Sequence, residues 1–263
     1  MKRETFFEDK VVIVTGASSG IGKALALYLS RLKAKVVLAA RNEVKLFELT
    51  NQINASGNEA IFVRTDISIK SDVIHLINTT TEKWGKIDIL ISNAGQYIQG
   101  YLDDTEEELF RKSFDVNFYG SFYAVKEIMP VMKGQNAGHI IFINSLDSKK
   151  GIVGDGPYVA AKSALDGFAD VLRQEVSNTG IRVISVYLGR VDTPMIEDLR
   201  VPWISSKMSV QKVVGAIIKG IIKSKPIIVV PKTSYLLGAL NNLSPRLLDW
   251  FYKKLRVEGV KNQ

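Results

Sequence analysis

Apolar runs and helix-spaced apolar positions alternate along most of this chain. Val11, Val12, Ile13, Val14 and Thr15 read as a buried strand over 11–15. Ile21, Leu25, Leu29 and Leu32 then recur at helical spacing over 21–32. The alternation continues with strands at 36–40, 60–65, 87–92, 140–144, 183–187 and 227–230. Helical patterns fill 42–56, 71–84, 105–132, 157–178 and 209–223. Strands that are apolar throughout, rather than at every second residue, belong to a sheet covered on both faces. Strands separated by helices imply parallel pairing. The pattern predicts an α/β fold, a doubly wound parallel sheet of about seven strands with helices on both faces. No repeat or linker interrupts it, so a single domain is expected over 1–263, with a core at 10–231 and a tail at 232–263.

Composition narrows the function classes. At 46% hydrophobic and 24% charged, the chain resembles a globular protein rather than a disordered one. It has no cysteine, which excludes disulfides, thiolate metal sites and cysteine nucleophiles. Its two histidines, His75 and His139, lie far apart, which speaks against a histidine metal cluster or a Ser-His-Asp triad. No metal is expected. The apolar run at 11–14 is too short for a signal peptide, and no stretch reaches the length of a membrane span. A cytoplasmic location is the expectation. The net charge of +8 is uneven: from Trp203 to Gln263, eleven Lys and Arg face only Asp249 and Glu258. No aromatic platform or zinc motif accompanies that charge, so no nucleic-acid partner is expected.

Chemistry enters after the first strand, at Thr15-Gly16-Ala17-Ser18-Ser19-Gly20-Ile21-Gly22. Glycines at a strand-to-helix turn let the backbone approach a pyrophosphate and let the helix start pack on the strand. The helix N-terminus then offers free N–H groups and a positive dipole end to phosphates.

The spacing G-x-x-x-G-x-G resembles the short-chain dehydrogenase/reductase family, and further motifs follow in order. They are Asp66 with Ile67 after the third strand, Asn93-Ala94-Gly95 after the fourth, and Asn117 in Val116-Asn117. Ser145 ends the fifth strand, Tyr158-Val159-Ala160-Ala161-Lys162 forms Y-x-x-x-K, and Val191-Asp192-Thr193-Pro194 follows the sixth strand. The resemblance covers about residues 10–231. It implies a Rossmann-type fold and a nicotinamide cofactor. It places Gly16, Ser18, Ser19, Gly20, Ile21 and Gly22 on the phosphates, and Asp66 and Ile67 near the adenine. Asn93, Ala94 and Gly95 join the cofactor site, and Val191 and Thr193 meet the carboxamide. A homo-oligomer, dimer or tetramer, is also implied. Two positions depart from the family: Ser92 stands for a usual Asn, and Leu188 for a usual Pro before Gly189, so a less rigid turn is expected after the sixth strand.

The second strand ends Leu38-Ala39-Ala40-Arg41-Asn42, with no carboxylate before Glu43. An acidic residue there would bind a ribose 2′-hydroxyl and repel a 2′-phosphate. Arg41 neutralises a 2′-phosphate and bonds it in a fork geometry, and Ser18 adds a hydroxyl. NADP(H) is therefore the expected cofactor.

Tyr158 and Lys162, four apart on one helix, lie about 5–6 Å apart at Cβ. A phenol with pKa about 10 is a poor base near neutrality. A neighbouring ammonium, together with the positive charge of the oxidised nicotinamide, is expected to lower that value and let Tyr158 exchange a proton with a substrate oxygen. Ser145, on a strand end beside that helix, is suited to orient a carbonyl. The family resemblance implies that Lys162 holds the nicotinamide ribose and that Asn117 holds a water linking Lys162 to solvent. The expected reaction is hydride transfer between NADP(H) and a ketone or secondary alcohol, in the reducing direction.

The loop at 190–208 carries Met195, Ile196, Leu199, Val201, Pro202 and Trp203, which favours an apolar substrate. A 3-oxoacyl carrier-protein reductase and a non-catalytic NADP(H)-binding sensor are the alternatives. In the tail, Ser244 suits an N-cap and Pro245 the first helical position. Leu247, Leu248, Phe251 and Leu255 then share one face, flanked by Trp250 and Tyr252, with Lys253, Lys254 and Arg256 elsewhere. Such a basic amphipathic helix lies in a membrane interface, or it packs over the substrate cleft or an oligomer interface. Loosely, it resembles the tails of lipid-ketone reductases.

Overall fold

A computed structural model describes residues 3–199, 206–255 and 257. Seven strands form one parallel sheet: β1 Val11–Thr15, β2 Lys35–Ala40, β3 Ala60–Arg64, β4 Ile89–Ser92, β5 Gly138–Ser145, β6 Ile181–Leu188 and β7 Ile227–Val230. Their order is β3-β2-β1-β4-β5-β6-β7. The helices are α1 Arg3–Phe7, α2 Gly20–Arg31, α3 Glu43–Ala55, α4 Lys70–Trp84, α5 Glu107–Phe114, α6 Gly120–Gln135, α7 Gly156–Glu175, α8 Val210–Ile222, α9 Leu237–Leu243 and α10 Pro245–Lys254.

Alternate residues of each strand feed opposite cores. Val12 and Val14 of β1 pack with Leu25 and Leu29 of α2, Leu46 of α3 and Ile217 of α8. Ile13, between them, packs with Leu76 of α4, Ile128 of α6 and Leu165 of α7. Burying both faces removes apolar area worth roughly 25 cal/mol per Å² from water. It also explains why the strands read as unbroken apolar runs. The strand order reverses between β1 and β4, which pair directly. That switch point opens a crevice at the carboxyl ends of the strands.

Three local differences from the sequence pattern have physical causes. The helix expected over 105–132 is α5 and α6 joined by a π-helical turn, Asp115–Tyr119. Periodicity does not register this local change in winding, which carries Asn117. The charged start contains α1, whose Phe7 is fully buried in the core beside α2. Leu188 does not loosen the turn after β6: it pairs with Ser145 and Val230, and Gly189 N–H donates to the Val230 carbonyl at 2.8 Å. No helix among the described residues is long and apolar enough to cross a membrane.

Candidate active site

The glycine turn joins β1 to α2 at the switch point. Gly16 and Gly20 adopt φ of +67° and +51°, where a side chain is strained. At Gly22 a Cβ would lie 2.3 Å from the Gly16 carbonyl oxygen, so only glycine lets α2 start this close to the strand. Ser19 stands at the N-cap in extended conformation, and its side chain makes no capping bond. Asn93 braces the turn, donating from Nδ2 to Thr15 O at 2.9 Å. The Asn93 and Ala94 amides both donate to Thr15 Oγ1, at 2.9 and 3.0 Å. Thr193 closes the opposite side, 3.3 Å from a Cβ built at Gly20.

One continuous cleft of about 980 Å³ runs from this turn to Tyr158. Arg41, Asp66 and Ile67 also line it. Arg41 follows β2 with its side chain 64% exposed, and Nη1 is 4.0 Å from Asp66 Oδ2. Asp66 Oδ1 is occupied, accepting from Ser68 N–H at 3.0 Å and Ser68 Oγ–H at 2.6 Å. Ile67 is buried, in the gap left by Gly120.

Ser145, Tyr158, Lys162 and Asn117 all line this cleft. Asn144 ties β5 to α7, donating to the Lys162 carbonyl at 3.2 Å. Lys162 Nζ donates to the Ile143 carbonyl at 2.9 Å and lies 5.9 Å from the Tyr158 ring centroid. Asn117 bonds the loop after β4 in both directions: Nδ2 donates to Gln96 O at 2.9 Å, and Oδ1 accepts from Gln96 N–H at 3.1 Å. Gly95 lies between Asn117 and Lys162. A Cβ there would be 2.9 Å from Asn117 Oδ1 and 3.7 Å from Lys162 Nζ.

The chain's own electrostatics show what a bound cofactor would have to work against. The protein's own groups push the Tyr158 phenol up, not down, chiefly by burial and then by the Asp147 and Asp155 carboxylates. A hydrogen bond with Ser145 works the other way without prevailing. Burial draws Lys162 down to about 8. The chain's own groups thus favour the protonated phenol.

Sequence spacing missed the groups around this phenol. Ser145 Oγ donates to Asp147 Oδ2 at 2.9 Å, and Tyr97 Oη donates to Asp155 Oδ1 at 2.7 Å. The Tyr97 ring meets the Tyr158 ring edge-on at 5.0 Å. A carboxylate two residues past a strand, or at the start of a helix, reads as a local cap. No motif separates these from ordinary turn residues.

The apolar loop contributes Met195, Ile196 and Leu199 to the cleft, while Val201, Pro202 and Trp203 lie outside the described residues. The tail helix is α10, but Ser244 makes no side-chain capping bond. Its apolar residues divide. Tyr252 and Leu255 line the cleft together with Val257, whereas Leu247, Trp250 and Phe251 are 54%, 52% and 44% exposed. Lys150 fastens the helix through an ion pair with Asp249 and sits 5.7 Å from the Tyr252 ring. Arg256 lies outside the described residues.

A seven-stranded parallel sheet with a glycine-lined cleft at its switch point defines a dinucleotide-binding fold. A family model described as short chain dehydrogenase matches residues 10–202. The chain belongs to this family of oxidoreductases. An uncharacterized oxidoreductase of Staphylococcus saprophyticus is 37% identical over 194 residues, 73% of this chain and 82% of the relative. One from Listeria monocytogenes is 36% identical over 194 residues, 73% and 78% of the two chains. Among solved structures, a short-chain dehydrogenase/reductase from Burkholderia phymatum in complex with NAD has a TM-score of 0.85 and 26% identity. The match covers 92% of this chain and 96% of that one. A variant of actinorhodin polyketide ketoreductase with NADPH has a TM-score of 0.77 and 26% identity, covering 84% and 95%.

Proposed function

We propose that the protein reduces ketones to secondary alcohols with NADPH, with Tyr158 as the proton donor. The observation that carries this reading is geometric: Ser145, Tyr158 and Lys162 line the same cleft as the glycine turn.

The residues present fit a phosphorylated dinucleotide. The turn at Gly16, Ser18, Ser19, Gly20, Ile21 and Gly22 leaves room where a Cβ would collide, and the uncapped N-terminus of α2 suits a pyrophosphate. Asp66 and Ile67 would flank the adenine. Asn93, Ala94 and Gly95 would line the middle of the cofactor, Tyr158 and Lys162 the nicotinamide ribose, and Val191 and Thr193 the carboxamide. Relatives in fold bind NAD in one case and NADPH in another, so the choice rests on Arg41. Its exposed guanidinium at the end of β2 suits a 2′-phosphate, with Ser18 in the same cleft.

The bound nicotinamide supplies the hydride. The chain's own residues handle the proton. Tyr158 Oη donates to the carbonyl oxygen as charge develops there. Ser145 orients that oxygen, and Lys162, drawn toward neutrality, restores the phenol's proton. Asn117 holds the loop that carries Gly95 against Lys162. Met195, Ile196, Leu199, Tyr252 and Leu255 favour a largely apolar substrate. A self-associating surface fits the face of α5 and the π-helical turn after it, where Leu109 and Tyr119 are exposed. The exposed apolar side of α10 suits a peripheral membrane contact.

The test is NADPH and NADH oxidation with a panel of ketones. Turnover with NADPH that Tyr158→Phe abolishes supports the reading. No turnover with any ketone and either cofactor, by a protein that binds NADPH, leaves a sensor instead.

A further inference from the structure

Asp155 stands at the N-cap of α7, where aspartate normally accepts a bond from the helix's first amides. Here it does not: its side chain makes no capping bond. The carboxyl turns toward Tyr97, whose hydroxyl donates to Oδ1 at 2.7 Å. The backbone fixes this pose, since Gly100 N–H donates to the Gly154 carbonyl at 2.8 Å and Gly100 bridges to Asp155. Asp155 exposes only 1% of its surface, lines the cleft, and its Oδ2 has no hydrogen-bond partner among the described residues. Buried carboxyl oxygens are rarely left without a donor.

We propose that Asp155 Oδ2 is a substrate-binding group that accepts a hydrogen bond from a hydroxyl carried by the substrate near its reacting carbonyl. This rests on the ketone-reducing reading above. The position suits it: Tyr97, which holds Asp155, packs edge-on against the Tyr158 ring at 5.0 Å. The neighbouring charges select the kind of donor. Burial, with Asp147, pushes the Asp155 carboxyl up to about 7, while the Tyr97 hydrogen bond and then the Arg190 guanidinium draw it down. A substrate ammonium would meet that guanidinium, whereas a neutral hydroxyl meets no such penalty. The same cleft is also lined by the apolar side chains of Ile152, Leu199 and Leu255 and by the Tyr252 ring. The substrate class is therefore an apolar ketone bearing a hydroxyl, a hydroxy ketone, rather than a plain hydrocarbon ketone.

The experiment compares aliphatic ketones of equal length, with none or one hydroxyl moved along the chain, using NADPH. Wild type is expected to favour one hydroxy ketone by about ten- to hundred-fold in kcat/KM, the range of one charge-assisted hydrogen bond. In Asp155→Asn that ratio falls toward one, and Tyr97→Phe reduces it in part. An unchanged ratio in a folded Asp155→Asn protein, or no preference in wild type, overturns the proposal. Calorimetric binding of matched diols and monoalcohols separates this outcome from failure of the catalytic reading. Tighter diol binding that Asp155→Asn removes supports the site even without turnover. Equal binding overturns it even if plain ketones are reduced.

Discussion

The Ser145 hydroxyl and Asp147 bond each other in both directions: Oγ donates to Asp147 Oδ2 at 2.9 Å and accepts from Asp147 N–H at 3.1 Å. To polarise a carbonyl, Ser145 must swing its proton from Asp147 to the substrate. Asp147 also acts on Tyr158, raising the phenol as the next cause after burial. Its removal makes phenolate easier to form. Ketone reduction needs the protonated phenol, so the alkaline fall of kcat/KM should begin at lower pH in Asp147→Asn than in wild type. The pH–rate profiles of the two proteins check this, and coincident alkaline limbs would reject it.

Tyr158→Phe should retain NADPH binding and lose about 10²- to 10⁴-fold in turnover, the range for one general acid. Lys162→Ala should weaken both, because Nζ lies beside Gly95 in the cofactor cleft and also neighbours the phenol. Fluorescence titration with NADPH alongside steady-state rates separates the two effects. Near wild-type turnover by Tyr158→Phe would remove Tyr158 from the mechanism.

What the sequence disclosed depended on whether spacing along the chain equals spacing in the fold. Gly16, Gly20 and Gly22 fall within one turn, and Tyr158 and Lys162 on one helical face, so their geometry followed from their numbers. Asp147 and Asp155 gave no such signal, because aspartates at strand ends and N-caps usually serve the local backbone. The upward pull on Tyr158 was hidden for a related reason. The sequence names Lys162 as a neighbour, but burial is a property of the assembled cleft, and it is the largest influence of the chain on this phenol. In the tail, periodicity gave one apolar face. The fold divides it, because Asp249 pairs with Lys150 and turns Tyr252 toward the cleft.

Arg41→Asp should shift preference from NADPH toward NADH. Losing a charge-assisted phosphate contact costs about 1.5–3 kcal/mol, or roughly ten- to hundred-fold in Kd. Repulsion between the new carboxylate and the 2′-phosphate adds to this. Paired titrations of both cofactors are the check. Equal affinity of wild type for NADH and NADPH would refute the assignment of Arg41.

His139 offers a stability test away from the cleft. Burial, helped by Lys10 and Arg182, draws it from 6.5 to about 4. Between those values the unfolded chain binds the proton and the folded one resists it. Stability is therefore fully present above pH 6.5 and lost as pH falls toward 4, by at most about 3 kcal/mol. Urea midpoints across this window should slope less in His139→Gln than in wild type. Parallel slopes would show that other groups dominate acid unfolding.

The C-terminal arm carries the last prediction. Leu240, Leu243, Leu247, Trp250 and Phe251 are all exposed, and Arg246, Lys253 and Lys254 lie among them. Tyr252 of α10 and Leu255 just past its end reach the cleft. Apolar and aromatic side chains flanked by cations suit an anionic lipid interface, where area burial adds to charge attraction. The intact protein should cosediment with anionic vesicles more than with neutral ones, and salt should weaken this. A chain ending at Lys232 should lose the binding, as should an intact chain with Trp250→Ser, Phe251→Ser, Lys253→Glu and Lys254→Glu. The second variant matters because truncation also removes Tyr252 and Leu255 from the cleft. If the folded substituted protein still bound anionic vesicles like wild type, α10 would be a cleft cover and not a membrane contact.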